Sequence, residues 1–476
     1  MKLSGLVVLA LAAFAGVVAF GGSGGTPARP AAAAGTPAPD GILAKGHINR
    51  VVVIVMENRT FDNVFGGDFD MKGHPSPYPE ADSSVPSSIA SHMTTADFKP
   101  DGGEDNWHNW WECLAQGHFS SQTWLKVSQN AGPCTQYPNV SKTTAPFKYL
   151  SPKLRTTYWA IAGHYELGDS FFAMSSTDSF PAHQYIVVGQ SRTDQTKTHP
   201  AETVAGQPTY AGTPSYAPGC VDLGQNVDVA FPKLDPATGW ATLVDRNVGG
   251  ECWNDATFGD YLSVAHVNWQ HFSMQNAPAN AFNGFINVNG PNHWYKHVFP
   301  LSGTNVLKVA AAGGLPQFSW IKPPCFPASD HPNTGNHGPA WVETVIDEIG
   351  SNQEQWDHAA IFVIWDDWGG FYDHRTPPPQ RAWDHLGPGL RTPFLIVSPY
   401  VVQGNVAHGV ADYGSILRFV EQLYNVPSMG RVDAHSPDLV GFFNFNQTPR
   451  PFVPITTEPT WAPAAGCQGN NKLARD

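Results

Sequence analysis

Two long apolar runs in this chain each stop at a pair of oxygen-bearing side chains, and that pattern restricts the fold sharply. Residues 49–56 read Asn-Arg-Val-Val-Val-Ile-Val-Met and lead into Glu57-Asn58. Residues 359–365 read Ala-Ala-Ile-Phe-Val-Ile-Trp and lead into Asp366-Asp367. A continuous apolar run without polar alternation is expected of a strand covered on both faces, as in a parallel sheet flanked by helices. Pro393–Ser398 is a third such run. Between them lie helical patterns. Asp412–Tyr424 places Ile416, Leu417, Val420, Leu423 and Tyr424 on one face, and His337–Ile349 and Thr304–Ala312 also read as helices. Buried strands alternating with helices predict an α/β domain built on a doubly wound, mostly parallel sheet.

A chain of 476 residues has room for up to three domains, but one large α/β domain with insertions fits as well. Residues 41–445 are read as that domain. The stretches near 67–150 and 190–300 are rich in Gly, Pro, Asn and Trp and weakly periodic; they read as long loop-rich insertions capping one end of it. Residues 446–476 form a Pro-rich tail. Residues 1–40 read as a signal peptide and flexible leader. Lys2 precedes an apolar run from Leu6 to Phe20, and small residues follow. An uncleaved anchor is the rival reading. The expectation is a secreted or cell-envelope protein with no stable membrane insertion after cleavage. In that setting the six cysteines, none in a C-x-x-C pair, favour disulfides over a zinc cage. A formal net charge of −13 argues against a generally basic nucleic-acid binder, and no nucleic-acid partner is expected.

In open α/β sheets, functional groups gather beyond the carboxyl ends of the strands. Glu57, Asn58, Asp366 and Asp367 stand at two such ends and offer only oxygen donors. Adjacent carboxylates there repel unless a cation or a proton lies between them. The set suits one divalent metal ion, with Mg²⁺, Ca²⁺ or Mn²⁺ favoured. A turn reading competes, because Asn and Asp are common in turns, and for either pair alone it is the better explanation. Both pairs together favour the cation. Ser179, in Gly168–Gln190, lies just before a helix carrying Tyr185–Val188, where free backbone N–H groups favour an anion or an ionised hydroxyl. An ordinary N-cap is the commoner role of a lone Ser. His108, His293 and His331 stand in loop-like contexts, and taken singly each reads as an exposed loop histidine. Asp373-His374 follow the Gly369-Gly370 turn and can return toward the same site. Asn58-Arg59-Thr60 matches a glycosylation sequon, which conflicts with a metal-ligand role. The clusters Trp107, Trp110, Trp111 and Trp365, Trp368 read as core before they read as a lipid or sugar pocket.

The segments VVVIVMENRTFDNVFG, SFPAHQYIVVGQS, SDHP, IWDDWGGFYDH and RTPFLIVSPYV, in that order, resemble the bacterial phosphoesterase family. That family joins phospholipases C with secreted acid phosphatases and is related in fold to alkaline phosphatase. The resemblance spans roughly residues 48–428. It implies that Glu57, Asn58, Asp366 and Asp367 hold the metal, that Ser179 is the nucleophile, and that His331, His108 and His293 serve the phosphate. It implies hydrolysis of small phosphate esters, with phospholipids as the alternative substrate. Phospholipase C members usually carry Thr at the nucleophile and Asp-Glu at the second pair. Ser179 and Asp366-Asp367 look like the acid-phosphatase branch, which makes phosphomonoester hydrolysis through a phosphoserine the leading expectation. The larger phospholipases C also carry C-terminal β-domains, which this chain is expected to lack.

Overall fold

In a computed structural model the described residues are 44–66, 93–96, 145–175, 179–190, 227–234, 241–248, 256–273, 282, 297–300, 303–325, 328–330, 337–379 and 388–458. The leader, His108, His293 and His331 lie outside them, as do Trp107, Trp110 and Trp111.

An eight-stranded sheet forms the centre. Its strands are β1 (Arg50–Met56), β2 (Glu166–Gly168), β3 (Trp269–Ser273), β4 (Val298–Pro300), β5 (Phe318–Ile321), β6 (Ala359–Trp365), β7 (Phe394–Val397) and β8 (Asn405–Ala407). The spatial order is β8-β2-β7-β6-β1-β5-β3-β4. Strands β1 and β6 pair in parallel from Arg50↔Ala359 to Met56↔Trp365. Both are buried along nearly their whole length, which is why their sequences carry no polar alternation.

Strand β7 alone runs against the others, antiparallel to β6 and to β2. A parallel return needs a crossover, usually a helix, and the described residues between β6 and β7 form none. The 190–300 stretch is more than loops. It supplies β3 and β4, and β3 pairs in parallel with β5.

The helices named below are α1 (Phe61–Phe65), α2 (Pro152–His164), α3 (Ser179–Val188), α4 (Phe258–Val264), α5 (Gly303–Ala311), α6 (Gly338–Gly350) and α7 (Tyr413–Tyr424). The expected boundaries of α5, α6 and α7 shift by about one residue, an ordinary fraying margin. In α7, Asp412 and Ser415 form a reciprocal capping box, and Asn425 closes the helix in the left-handed region at φ 55°. The core includes Trp320, Trp341, Trp356, Trp365 and Trp368, so the Trp365–Trp368 cluster packs inside. No described helix is long and apolar enough to cross a membrane.

A buried ion-pair network fixes the loops that follow β1 and β6. Arg391 lies 3.2 Å from both Asp62 Oδ1 and Asp373 Oδ1, and its guanidinium sits 4.1 Å from the Phe61 ring centroid. His374 Nδ1 lies 2.9 Å from Asp62 Oδ2, and the Asp62 amide donates to Asp373 Oδ2 at 3.1 Å. Asp62, Asp373 and His374 are close enough to hold a cation, but Arg391 already supplies one. Asp373 and His374 therefore serve this network instead of turning back to the acidic strand ends.

Burial opposes charge on His374, yet the neighbouring Asp62 and Asp373 carboxylates win and raise it from 6.5 to about 9. Folding then binds a proton between those two values. The contribution is complete below about pH 6.5 and is lost as pH passes about 9. Asp373, raised to about 6 chiefly by burial, acts with the same sign at lower pH. Urea denaturation of the protein and His374→Gln at pH 6 and pH 9.5 should show a gap of up to roughly 3 kcal/mol that largely closes at the higher pH. A gap independent of pH would remove the charge on His374 from the account.

Candidate active site

Because β1 and β6 are parallel and in register, Glu57-Asn58 and Asp366-Asp367 leave the sheet side by side. The chain locks this crossing. The Asn58 amide donates to Asp366 Oδ1 at 3.0 Å, the Asp366 amide to Met56 O at 3.0 Å, and the Arg59 amide to Asp367 O at 3.1 Å. The Tyr413 hydroxyl donates to the carbonyls of Trp365 and Asp366, pinning the end of β6. Asn58 takes a left-handed conformation at φ 57°, which Asn tolerates better than most residues. Gly369, at φ 63°, lies against it, and a Cβ there would fall 2.6 Å from Asn58 O.

All four oxygen-bearing residues are buried. Asn58 cannot receive a sugar in the folded protein, so burial settles the sequon at that position. Ser179 is the first residue of α3, one position further in than expected. Its hydroxyl donates to Asp367 Oδ2 at 2.8 Å and lies 3.1 Å from Asn58 Oδ1. The Gly369 amide holds the other Asp367 oxygen at 2.6 Å, which orients the carboxylate toward the hydroxyl.

Glu57 and Asp366 face two residues that sequence reasoning missed. His183 Nε2 lies 3.3 Å from Glu57 Oε1 and 3.3 Å from Asp366 Oδ2. Lys322 Nζ lies 2.7 Å from Glu57 Oε1 and 2.5 Å from His183 Nε2. His183 follows Ser179 by four residues, so one face of α3 carries both. Lys322 follows β5, a neighbour of β1, and its amide is tied to Phe272 O at 2.9 Å. Buried His271 on β3 is pushed well below its ordinary value by burial and then by Lys322 and His183. It is therefore a neutral wall.

The donor set fits a divalent cation. Glu57, His183 and Asp366 each present a ligand atom within 4.8 Å of the others. Asp366 Oδ2 is buried and, among the described residues, accepts no hydrogen bond, with His183 Nε2 3.3 Å away as its charged-group neighbour. Lys322 offsets part of the negative charge that Glu57 brings to this cluster.

His331 falls just past Ser329-Asp330, which border this site. Ser329 O accepts the Glu57 amide at 2.8 Å, and Tyr158 OH and Trp365 Nε1 both donate to Asp330 Oδ2. Burial raises the Asp330 carboxyl above its ordinary range.

The phosphoesterase family model matches residues 48–427. The chain belongs to the phosphoesterase family. Among similar curated members, the non-hemolytic phospholipase C of Burkholderia pseudomallei is 25% identical over 84% of this chain and 59% of its own length. The hemolytic phospholipase C of Pseudomonas aeruginosa is 23% identical over 80% of this chain and 53% of its own length. Non-specific phospholipase C1 of Arabidopsis thaliana is 24% identical over 86% and 73%. The phosphoesterase thus spans little more than half the length of the two bacterial relatives. A Vibrio parahaemolyticus protein in the alkaline phosphatase superfamily aligns at TM-score 0.34 and 13% identity, over 84% of this chain and 72% of that one.

Gly369→Ala tests how tightly this phosphoesterase site is built. The side chain would press on the Asn58 carbonyl from a backbone conformation it dislikes. Denaturant titration should show a loss of roughly 1–3 kcal/mol. Calorimetric metal titration should show at least about tenfold weaker binding. Unchanged metal affinity would mean that the turn does not position Asn58.

Proposed function

We propose that the protein is a metal-dependent phosphodiesterase of phospholipase C type, releasing a phosphorylated headgroup from a phospholipid through a phosphoserine. The observation that carries the chemistry is the Ser179 hydroxyl, hydrogen-bonded to oriented Asp367 at 2.8 Å beside Asn58 at the start of α3. The phospholipase C relatives, matched over most of the chain, support the substrate class.

Glu57, Asn58, Asp366 and Asp367 would hold the cation, which when bound supplies Lewis-acid stabilisation of phosphoryl oxygens. Asp367 Oδ2 takes the hydroxyl proton as Ser179 Oγ forms its bond to phosphorus and the bond to the leaving alcohol oxygen breaks. The positive end of α3 and its free N–H groups stabilise charge on the phosphoryl oxygens. His331, with His108 and His293, would contact those oxygens or protonate the leaving alcohol, as the family resemblance implies. Water then cleaves the phosphoserine, returning the proton to Ser179. Export through the leader fits this role, since phospholipid surfaces are met outside the cell. The disulfide-bonded Cys325 supports an oxidising destination.

Acid-phosphatase-like hydrolysis of phosphomonoesters is the second reading. Ser179 and the Asp366-Asp367 pair favour it, because they match the acid-phosphatase branch of the resemblance.

A panel of phosphatidylcholine vesicles, a soluble phosphodiester and p-nitrophenyl phosphate, each assayed with and without chelator, separates the two. The expected result is chelator-sensitive release of diacylglycerol with poor monoester turnover. Efficient monoester turnover without diacylglycerol release would establish the second reading. Ser179→Ala should lower turnover by roughly a thousandfold or more with the fold intact. Near-normal turnover in that variant would exclude the phosphoserine route.

A further inference from the structure

Strands β1, β5, β3 and β4 run in parallel, so their amino ends share one edge of the sheet, opposite the acidic strand ends. A cavity of about 470 Å³ lies at that edge. Small-molecule sites typically span roughly 300–1,000 Å³. Its polar lining comes from Arg50, Asn268, Gln270, His297 and Gln317, and the 313–316 turn between α5 and β5 supplies another wall. Arg50 opens β1 and Glu57 follows its last residue, so the strand separates this cavity from the active site by roughly 20 Å.

We propose that this cavity binds a small hydroxylated molecule through one oxyanion, a phosphate or a carboxylate group, held by Arg50. None of its lining residues belongs to the active site described above.

The charge of the lining is one-sided. No carboxylate is found among the described lining residues, in a chain whose formal net charge is −13. Arg50 is the one permanently charged residue of that lining. Its Nη1 donates to its own neighbour Asn49, to O at 3.1 Å and to Oδ1 at 3.5 Å. Its Nε is buried and, among the described residues, donates to nothing. A donor of a charged group left without an acceptor is costly, and the planar guanidinium fork matches an oxyanion. An arginine that merely ended a strand in solvent would keep its Nε hydrated.

The other polar groups suit a hydroxylated body. Gln317 Oε1 accepts the Asn268 amide at 3.1 Å, which leaves the Gln317 Nε2 group as a donor. The side-chain amides of Asn268 and Gln270 each offer a donor and an acceptor, the pairing that hydroxyl groups use. The walls are already fixed. Gln317 O accepts the Val51 amide at 2.8 Å and the Tyr424 hydroxyl at 3.0 Å, and the Phe318 amide donates to Asn268 O at 3.1 Å. His297 Nδ1 donates to Trp269 O at 2.8 Å, and its ring stacks on that indole with centroids 4.4 Å apart. A preformed site loses little freedom on binding.

Calorimetric titration of the full metal-loaded protein in about 0.15 M KCl tests this, with D-glycerate, inorganic phosphate and neutral glycerol as the probes. At least one of the two anions should bind with saturation, and glycerol should not. Arg50→Gln should weaken that anion by at least about tenfold. Gln270→Glu is isosteric, places a carboxylate in the lining and should weaken it by a similar factor, which keeps the test open if Arg50→Gln does not fold. Phosphate can also meet the active site, so only binding weakened by these two substitutions is counted. Glycerate binding alone would mark the site as one for carboxylates, and phosphate binding alone as one for phosphate esters. Anion binding that both substitutions leave unchanged overturns the proposal. So does the absence of saturable anion binding, or glycerol bound as tightly as the anions.

Discussion

Three carboxylates enter a buried space at the ends of two parallel strands, and their mutual repulsion is the constraint around which the site is arranged. Parallel pairing of β1 and β6 brings Glu57, Asp366 and Asp367 together, and the backbone bonds between Asn58, Arg59 and the Asp366-Asp367 pair leave them little freedom to separate. Unpaired anions buried this close would protonate or drive the loops apart. Lys322 offsets part of that charge at Glu57, and Glu57, His183 and Asp366 stand close enough together that they could also hold a metal ion. Lys322 is thus part of the solution to an electrostatic problem that the sheet itself creates.

Rigidity comes from a second charged layer. Arg391 joins Asp62, from α1 just after β1, to Asp373, from the loop after β6. The Thr60 hydroxyl adds a bond to Tyr372 O at 2.8 Å across the same interface. Breaking a buried pair by removing one partner typically costs about 3–5 kcal/mol, because the other charge is left uncompensated. The ligand loops are therefore tied to each other as well as to their own strands, and the acidic cluster cannot relax by spreading. The site buries its repulsion because this neighbouring network, with Tyr413 beneath it, holds the backbone in place.

The parts legible in the sequence are those where a side chain's environment is set by its own segment. The β1 and β6 runs announce themselves because both faces are covered, so every position must be apolar. Their acidic ends stood out against that background. Asp412–Tyr424 was legible because its apolar residues repeat at helical spacing and Asp412 caps it. Lys322 left no such mark. The four-residue segment Phe-Ser-Trp-Ile precedes it, a length too short to separate a strand from a helix fragment, and a single Lys after it reads as a solvated end. His183 sits inside a helix, where only the distance to Ser179 carries information. The direction of β7 was also hidden, because periodicity reports burial and not strand polarity.

The helix α3 is where these layers meet. Ser179 touches the Asn58–Asp367 half, and His183, one turn later, touches the Glu57–Asp366 half and Lys322. A single rigid element therefore senses the charge in both halves. Displacing Lys322 from His183 would act on the same helix that carries Ser179, and a shift of α3 would move both contacts together. This coupling explains why a histidine with no place in an oxygen-only ligand set is nevertheless buried at the centre. The imidazole is the joint between Lys322 and the helix that carries the Ser179 hydroxyl.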